Sequence, residues 1–165
     1  FEIESALSPA EGVFLRCREG TLRSGQTECA MIVKHLKDIL GTKAHATGEG
    51  WESRRILLAA DGLGYSLHDT LVSEGAALEL EYKNHVETNY CIAGEGEVEE
   101  VSTGRVWPLA AGSVYVLNAH ERHILRALKG DLRLVCVFTP ALTGEEVHDE
   151  SGSYAAEGCK KRPEG

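Results

Sequence analysis

Apolar and polar residues alternate along most of this chain at the two-residue period of half-buried strands. From Arg54 onward the pattern resolves into short runs separated by turn-forming residues. Residues 55–58 read as a strand and are followed by an Asp61-Gly62 turn. Residues 65–72 form the next run and end near Ser73-Glu74-Gly75. Residues 77–82 alternate apolar with acidic, and 88–92 follow before Gly94-Glu95-Gly96. Residues 97–101 lead to the Thr103-Gly104 turn, and then come 106–109, 113–117, 123–127 and 132–138. Strands at this spacing, punctuated by glycine, predict an all-β closed or double-sheet architecture. Helix is scarce, and residues 32–40 are its best candidate.

Residues 1–30 lack any sustained period. The organised pattern begins at Met31, the single methionine of the chain. The expected organisation is an N-terminal extension over 1–30 without chemistry, one domain over 31–154, and a flexible tail over 155–165. A chain of 165 residues fits one domain with a working core. Its net charge of -9 argues against nucleic-acid binding, which needs a basic patch. No apolar run approaches the ~20 residues that span a bilayer, so no membrane partner is expected. The start, Phe1-Glu2-Ile3-Glu4-Ser5, lacks the basic-then-apolar pattern of a signal peptide, so a cytoplasmic protein is expected. Five cysteines without a C-x-x-C pair point to reduced thiols.

Two spaced frames carry the chemistry. The first runs Gly75, five residues, Glu81-Tyr82-Lys83, three residues, Glu87, six residues, Gly94. The second runs Gly104, five residues, Ala110-Ala111-Gly112, two residues, Tyr115, three residues, Ala119. This spacing resembles the two cupin motifs. A typical cupin has His-x-His at Glu81-Tyr82-Lys83 and a histidine at Tyr115, and only Glu87 keeps its family type. Either the metal has gone, leaving a small-solute-binding barrel, or it has been re-ligated. Glu87, Tyr115 and His123, the last placed just past the His120-Glu121-Arg122 turn, would supply carboxylate, phenolate and imidazole. That donor set suits Fe(2+) and admits Zn or Mn.

Longer stretches carry a closer likeness. These are Met31-Ile32-Val33, Gly50-Trp51-Glu52-Ser53-Arg54-Arg55, Tyr82-Lys83-Asn84-His85, Tyr90-Cys91-Ile92, Gly94-Glu95-Gly96-Glu97 and Cys136-Val137-Phe138-Thr139-Pro140. Leu142-Thr143-Gly144-Glu145-Glu146-Val147-His148 and Gly152-Ser153-Tyr154 complete the set. In order and spacing they resemble the ectoine synthase family, a cupin-type barrel family. The resemblance implies closure of N-γ-acetyl-L-2,4-diaminobutyrate to ectoine with loss of water, in compatible-solute synthesis under osmotic stress. It implies an iron cofactor held by Glu87, Tyr115 and His123, and a homodimer in the cytoplasm. Arg55 is expected to hold the substrate carboxylate, Trp51 and Phe138 to wall the pocket, and Thr70 and Tyr82 to offer hydroxyls. Cys136 is expected beside them, and Glu146 and His148, two apart, to move protons. His85 is expected either to line the pocket or to support Glu87. The chain departs from the family at Thr88-Asn89, where Ala-Val is common, and in the acidic stretch 77–81. A different cupin enzyme, an oxygenase or an isomerase, is the competing reading.

Overall fold

The computed structural model describes residues 31–146. It contains eight strands: β1 (His45–Gly48), β2 (Trp51–Leu57), β3 (Ser66–Val72), β4 (Ala77–Leu80), β5 (Val86–Glu100), β6 (Arg105–Ala110), β7 (Val114–Leu117) and β8 (His123–Thr139). All pairings are antiparallel, in the order β1-β2-β3-β8-β5-β6, with β4 on β8 and β7 on β5.

The two long strands organise the molecule. The later part of β8 pairs with β3 on one edge and with the early part of β5 on the other. Its first residues instead pair with β4 and with the end of β5. Two half-sheets, β1-β2-β3-β8-β5-β7 and β4-β8-β5-β6, therefore share the same two strands. Their inner faces meet in one apolar cluster that includes Val72, Val98, Leu109, Leu125, Leu132 and Leu134. The all-β double-sheet barrel expected from the alternation is the observed architecture.

The expected break at Gly94-Glu95-Gly96 is not a turn. β5 runs through it, but its pairing slips between Cys91 and Gly96. Before the slip the odd positions Glu87, Asn89 and Cys91 point inward; after it the even positions Gly96 and Val98 do. Such bulges change which residues face the core without ending the strand. Gly94, at φ 81°, and Gly96 permit this, because a Cβ at either would collide with a backbone carbonyl of β8, that of Asp131 or Arg126. β8 changes parity likewise, from His123, Leu125 and Ala127 to Leu132, Leu134 and Cys136, across an exposed stretch containing Gly130.

The helix expected over 32–40 is a single 3-10 turn, Leu36–Asp38. Ile32, Val33 and Leu40 are exposed, so no face of this segment is buried to sustain a longer helix. β1 lay outside the expectation, since His45-Ala46-Thr47-Gly48 has no apolar alternation and owes its form to pairing with β2. No helix among the described residues is long and apolar enough to cross a membrane. Cys91 and Cys136 are buried free thiols, as expected; Cys17, Cys29 and Cys159 lie outside the described residues. So do the expected extension and tail.

Candidate metal centre

Strand register lays the inner residues out in rows. One row crosses Ser66, Phe138, Glu87 and Leu117 on β3, β8, β5 and β7. The next crosses Arg55, His68, Cys136, Asn89 and Tyr115 on β2, β3, β8, β5 and β7. A third crosses Ser53, Thr70, Leu134 and Cys91. These rows wall an inner cavity, with Trp51, Tyr82, Leu78 and Leu125 closing it from other directions. Its volume is about 30 Å³, room for a water or two.

Glu87 is buried among these walls, and desolvation pushes its pKa up to about 8. The Asn89 amide and the Cys136 thiol oppose that rise but do not cancel it. Burial also raises Tyr115 well above the ordinary phenol value, and the Glu87 charge adds to the effect. The Cys136 thiol is raised by burial and by Glu87, and it donates to Thr70 Oγ1 at 3.4 Å. Among the described residues no Lys or Arg lines the inner cavity beside these acids; Arg55, in the same row, turns to the Gly144 and Glu146 carbonyls.

His123 is 1% exposed. Its Nδ1 lies 3.0 Å from the Glu121 carbonyl, which can only accept, so Nδ1 carries the proton. Nε2 is then left with a lone pair, buried and without a partner. Burial lowers the His123 pKa and keeps the ring neutral. A neutral imidazole oriented by a carbonyl on one nitrogen, with the other bare, is the form that binds metal. The His123 ring lies 6.4 Å from the Tyr115 ring and 6.2 Å from that of Tyr82. Tyr115 is the shared wall. It faces Glu87 in the inner cavity and lines, with His123, Glu121 and Trp107, a cleft of about 480 Å³ on its other side.

No three His, Cys, Asp or Glu side chains among the described residues could hold a metal together. A metal held by Glu87 and His123 would take the Tyr115 phenol, which borders both, as a third donor, and the orphaned His123 Nε2 is compatible with that set. A divalent cation would favour the ionised forms of both acids. The arrangement could thus hold positive charge beside a small cavity with largely apolar walls.

The other expected residues divide into two groups. Thr70, Tyr82, Cys136, Phe138 and Trp51 all line the inner cavity. Tyr82 packs edge-on against Phe138 at 5.3 Å. Arg55 and Glu146 do not join the trio. Arg55 donates from Nη1 to the Gly144 carbonyl at 2.7 Å and from Nη2 to the Glu146 carbonyl at 2.9 Å. The Glu146 carboxylate accepts from Thr143 N, Thr143 Oγ1 and Gly144 N at 2.6, 2.7 and 2.8 Å. Burial works against ionisation of Glu146, yet these hydrogen bonds hold its pKa below the ordinary value. Both residues border a separate concavity, which shares Trp51 with the inner cavity. His148 lies outside the described residues. His85, buried, has Nδ1 3.1 Å from the Pro140 carbonyl and supports the loop after β8.

Sequence reasoning missed Ser53, His68 and Asn89. His68 is two residues before Thr70 and Asn89 two after Glu87, so strand parity alone would have put both on the inner face. Burial lowers the His68 pKa to about 3, so its ring is neutral; Nδ1 lies 3.3 Å from Ser53 Oγ and Nε2 has no partner.

Two antiparallel half-sheets closed on an apolar core, with a few ligand-type side chains on the inner face, define a cupin. KdgF from Halomonas sp. has this fold, at a TM-score of 0.50 and 22% identity over 58% of this chain and 83% of that one. That likeness is of fold alone. The family model described as ectoine synthase matches residues 31–158. L-ectoine synthase from Halalkalibacterium halodurans is 52% identical over 124 residues, 75% of this chain and 95% of the relative. L-ectoine synthase from Oceanobacillus iheyensis is 55% identical over 124 residues, 75% of this chain and 96% of the relative. The crystal structure of ectoine synthase from P. lautus has a TM-score of 0.69 at 52% identity, covering 74% of this chain and 87% of that one. The chain belongs to the ectoine synthase family.

Proposed function

We propose that this protein is an L-ectoine synthase, a hydro-lyase that closes N-γ-acetyl-L-2,4-diaminobutyrate to ectoine with loss of water. Membership of the family supports the reaction. The observation that carries the site is the set of a buried, elevated Glu87, a half-buried Tyr115 beside it and the bare, buried Nε2 of His123. In this reading Glu87, Tyr115 and His123 hold the ion, Fe(2+) first, with Zn or Mn as alternatives. When bound, the ion supplies Lewis acidity to the substrate's acetamide carbonyl, a poor electrophile by itself.

The chain's own groups do the rest. Trp51, Tyr82 and Phe138 fold the flexible substrate toward a ring by excluding its extended forms. The inner cavity admits a substrate only as lining side chains give way. The Tyr82 phenol, packed between Phe138 and His123, is positioned to hydrogen-bond the departing oxygen. Thr70 Oγ1 offers a further polar contact beside Cys136. Glu146 and His148 exchange protons with the attacking amine, which must be uncharged to react. Arg55 reaches a substrate carboxylate only by exchanging it for the Gly144 and Glu146 carbonyls; otherwise it acts by anchoring that segment beside Trp51. The enzyme works in the cytoplasm, under osmotic stress, as a homodimer. The exposed Tyr90, Val114, Val116 and Trp107 on the outer sheet give a second copy an apolar face.

The test is to incubate iron-loaded protein with N-γ-acetyl-diaminobutyrate and follow the loss of one water by mass. Ectoine is the expected product, and no product at high protein concentration overturns the assignment. Tyr115→Phe is expected to lose both iron and activity; a variant with full iron and full turnover removes Tyr115 from the ligand set.

A further inference from the structure

Residues 118–122 join β7 to β8, and His120 within them has φ 60°, in the left-handed region. It is the one non-glycine residue with a positive φ among the described residues. Glycine adopts that conformation freely, whereas a side chain there is strained, though histidine, asparagine and aspartate bear it better than most. The imidazole makes a contact that a glycine could not. Its Nδ1 lies 2.7 Å from the Tyr82 carbonyl, which can only accept, so Nδ1 donates. His120 is exposed, and a single hydrogen bond at such a site adds little to folding. Strain and bond therefore nearly offset each other in stability, and the consequence of the bond lies in where it holds Tyr82.

β4 ends at Leu80 and β5 begins at Val86, so residues 81–85 lie outside strand pairing. Yet the Tyr82 ring is buried, packs edge-on against Phe138 and lies 6.2 Å from the His123 ring. The other end of the tether is close to the same place. The turn leads into His123, whose Nδ1 donates to the Glu121 carbonyl at 3.0 Å. The Glu121 carboxylate in turn accepts from Ala119 N at 3.1 Å, which braces the turn itself. Leu80 pairs with His123 across β4 and β8. One turn thus sets two rings of the site: His123 through Glu121, and Tyr82 through His120.

We propose that His120 is a positioning residue, whose Nδ1–H pins the Tyr82 carbonyl to the β7–β8 turn and so fixes the Tyr82 phenol beside His123. This rests on the function proposed above, in which Tyr82 bonds the departing oxygen. His120 does not line the inner cavity and acts through Tyr82. Without the tether the 81–85 segment is free to shift against the turn. A displacement of a reacting group by ~1 Å can cost about 100-fold in rate. The walls formed by Trp51, Thr70 and Phe138 stand on strands β2, β3 and β8 and do not depend on that segment. Loss of the tether therefore falls on kcat, which depends on Tyr82 in the transition state, more than on KM.

The experiment compares the full-length wild type with His120→Gly, which accepts the left-handed backbone and loses the tether. A third protein, His120→Asn, also tolerates that backbone and carries an amide N–H the same number of bonds from Cα as Nδ1–H. In iron-loaded protein, His120→Gly should lose about 10- to 100-fold in kcat with KM within about threefold, at unchanged iron content. His120→Asn should recover kcat to within about threefold of wild type. In chelator-treated protein the amides of residues 81–85 should exchange hydrogen faster in His120→Gly than in wild type or His120→Asn, at a melting temperature close to wild type. A His120→Gly kcat within about twofold of wild type overturns the proposal. So does a loss that His120→Asn fails to restore, or one that comes with iron depletion or a lower melting temperature. If His120→Gly fails to fold, His120→Asp carries the comparison with His120→Asn, because a carboxylate has the same shape and can only accept. A wild type that makes no ectoine overturns the function itself, whereas unchanged exchange over 81–85 in the metal-free variant overturns the tether independently of activity.

Discussion

Glu87→Gln removes the only carboxyl lining the inner cavity among the described residues while keeping the shape of the side chain. The Glu87 pKa is about 8 in the folded, metal-free protein, against an ordinary 4.5. Between those values the folded protein holds a proton that the unfolded chain has released. Stability of the metal-free form therefore falls as pH rises from 4.5 toward 8, and is fully recovered below 4.5. At pH 7 the penalty is about 3 kcal/mol, and above pH 8 it approaches about 5 kcal/mol. Glutamine never ionises, so the metal-free variant should exceed wild type by about that amount at pH 7, with the gap closing at acid pH. Its iron content should fall sharply, because a neutral amide replaces an anionic donor. Urea unfolding of chelator-treated protein at pH 4.5, 7 and 8.5, with iron analysis of the untreated protein, tests both halves. A metal-free variant that is no more stable than wild type at pH 8.5, or one that shares its pH slope, refutes the reasoning. A site that destabilises its own empty form and gains from a cation is built for one.

Asp69→Ala strips the shared partner from Arg54 and Arg133, which both pair with the buried Asp69 carboxylate. Arg54 keeps Glu52 and the backbone carbonyl of residue 69, and Arg133 is partly exposed, so the loss is that of charged hydrogen bonds, about 1.5–3 kcal/mol at neutral pH, measured by urea unfolding. Burial works to raise the Asp69 pKa, but the hydrogen bonds from Arg133 and Arg54 outweigh it and hold it below 3.8. The stabilisation is thus complete above pH 3.8 and fades only as pH falls through the lower folded value, where the two proteins should converge. Gly94→Ala forces a Cβ into the Asp131 carbonyl at φ 81° and should cost at least about 2 kcal/mol, read as a lower thermal midpoint without loss of iron affinity at low temperature.

The alternation of residues 55–138 revealed nearly every strand, whereas Glu87 came from the motif spacing and Thr70, Cys136 and Phe138 from the family resemblance. It could not reveal that β5 and β8 continue through their glycines, since a glycine that ends a strand and one that lets two strands approach look alike in sequence. Tyr115 and His123 were legible as donors from spacing, and the structure brings their rings to 6.4 Å. Arg55 is expected from the sequence to hold a substrate carboxylate; the partners that occupy both its Nη atoms, at Gly144 and Glu146, lie some ninety residues away and leave no local signature. Asn89 went unread for another reason. A polar residue in an alternating strand looks like a solvated one, and only the parity set by Glu87 turns it inward.

The row Arg55, His68, Cys136, Asn89 and Tyr115 draws one residue from each of five strands. No two of its adjacent members are closer than thirteen positions along the chain. A partly assembled barrel therefore holds only pieces of this wall, such as Arg55 beside His68, and the whole row exists only with the last strand pairing. For the cell this makes ring closure an all-or-none report of complete folding: a nascent or damaged chain is silent rather than sloppy, and cannot process the substrate halfway.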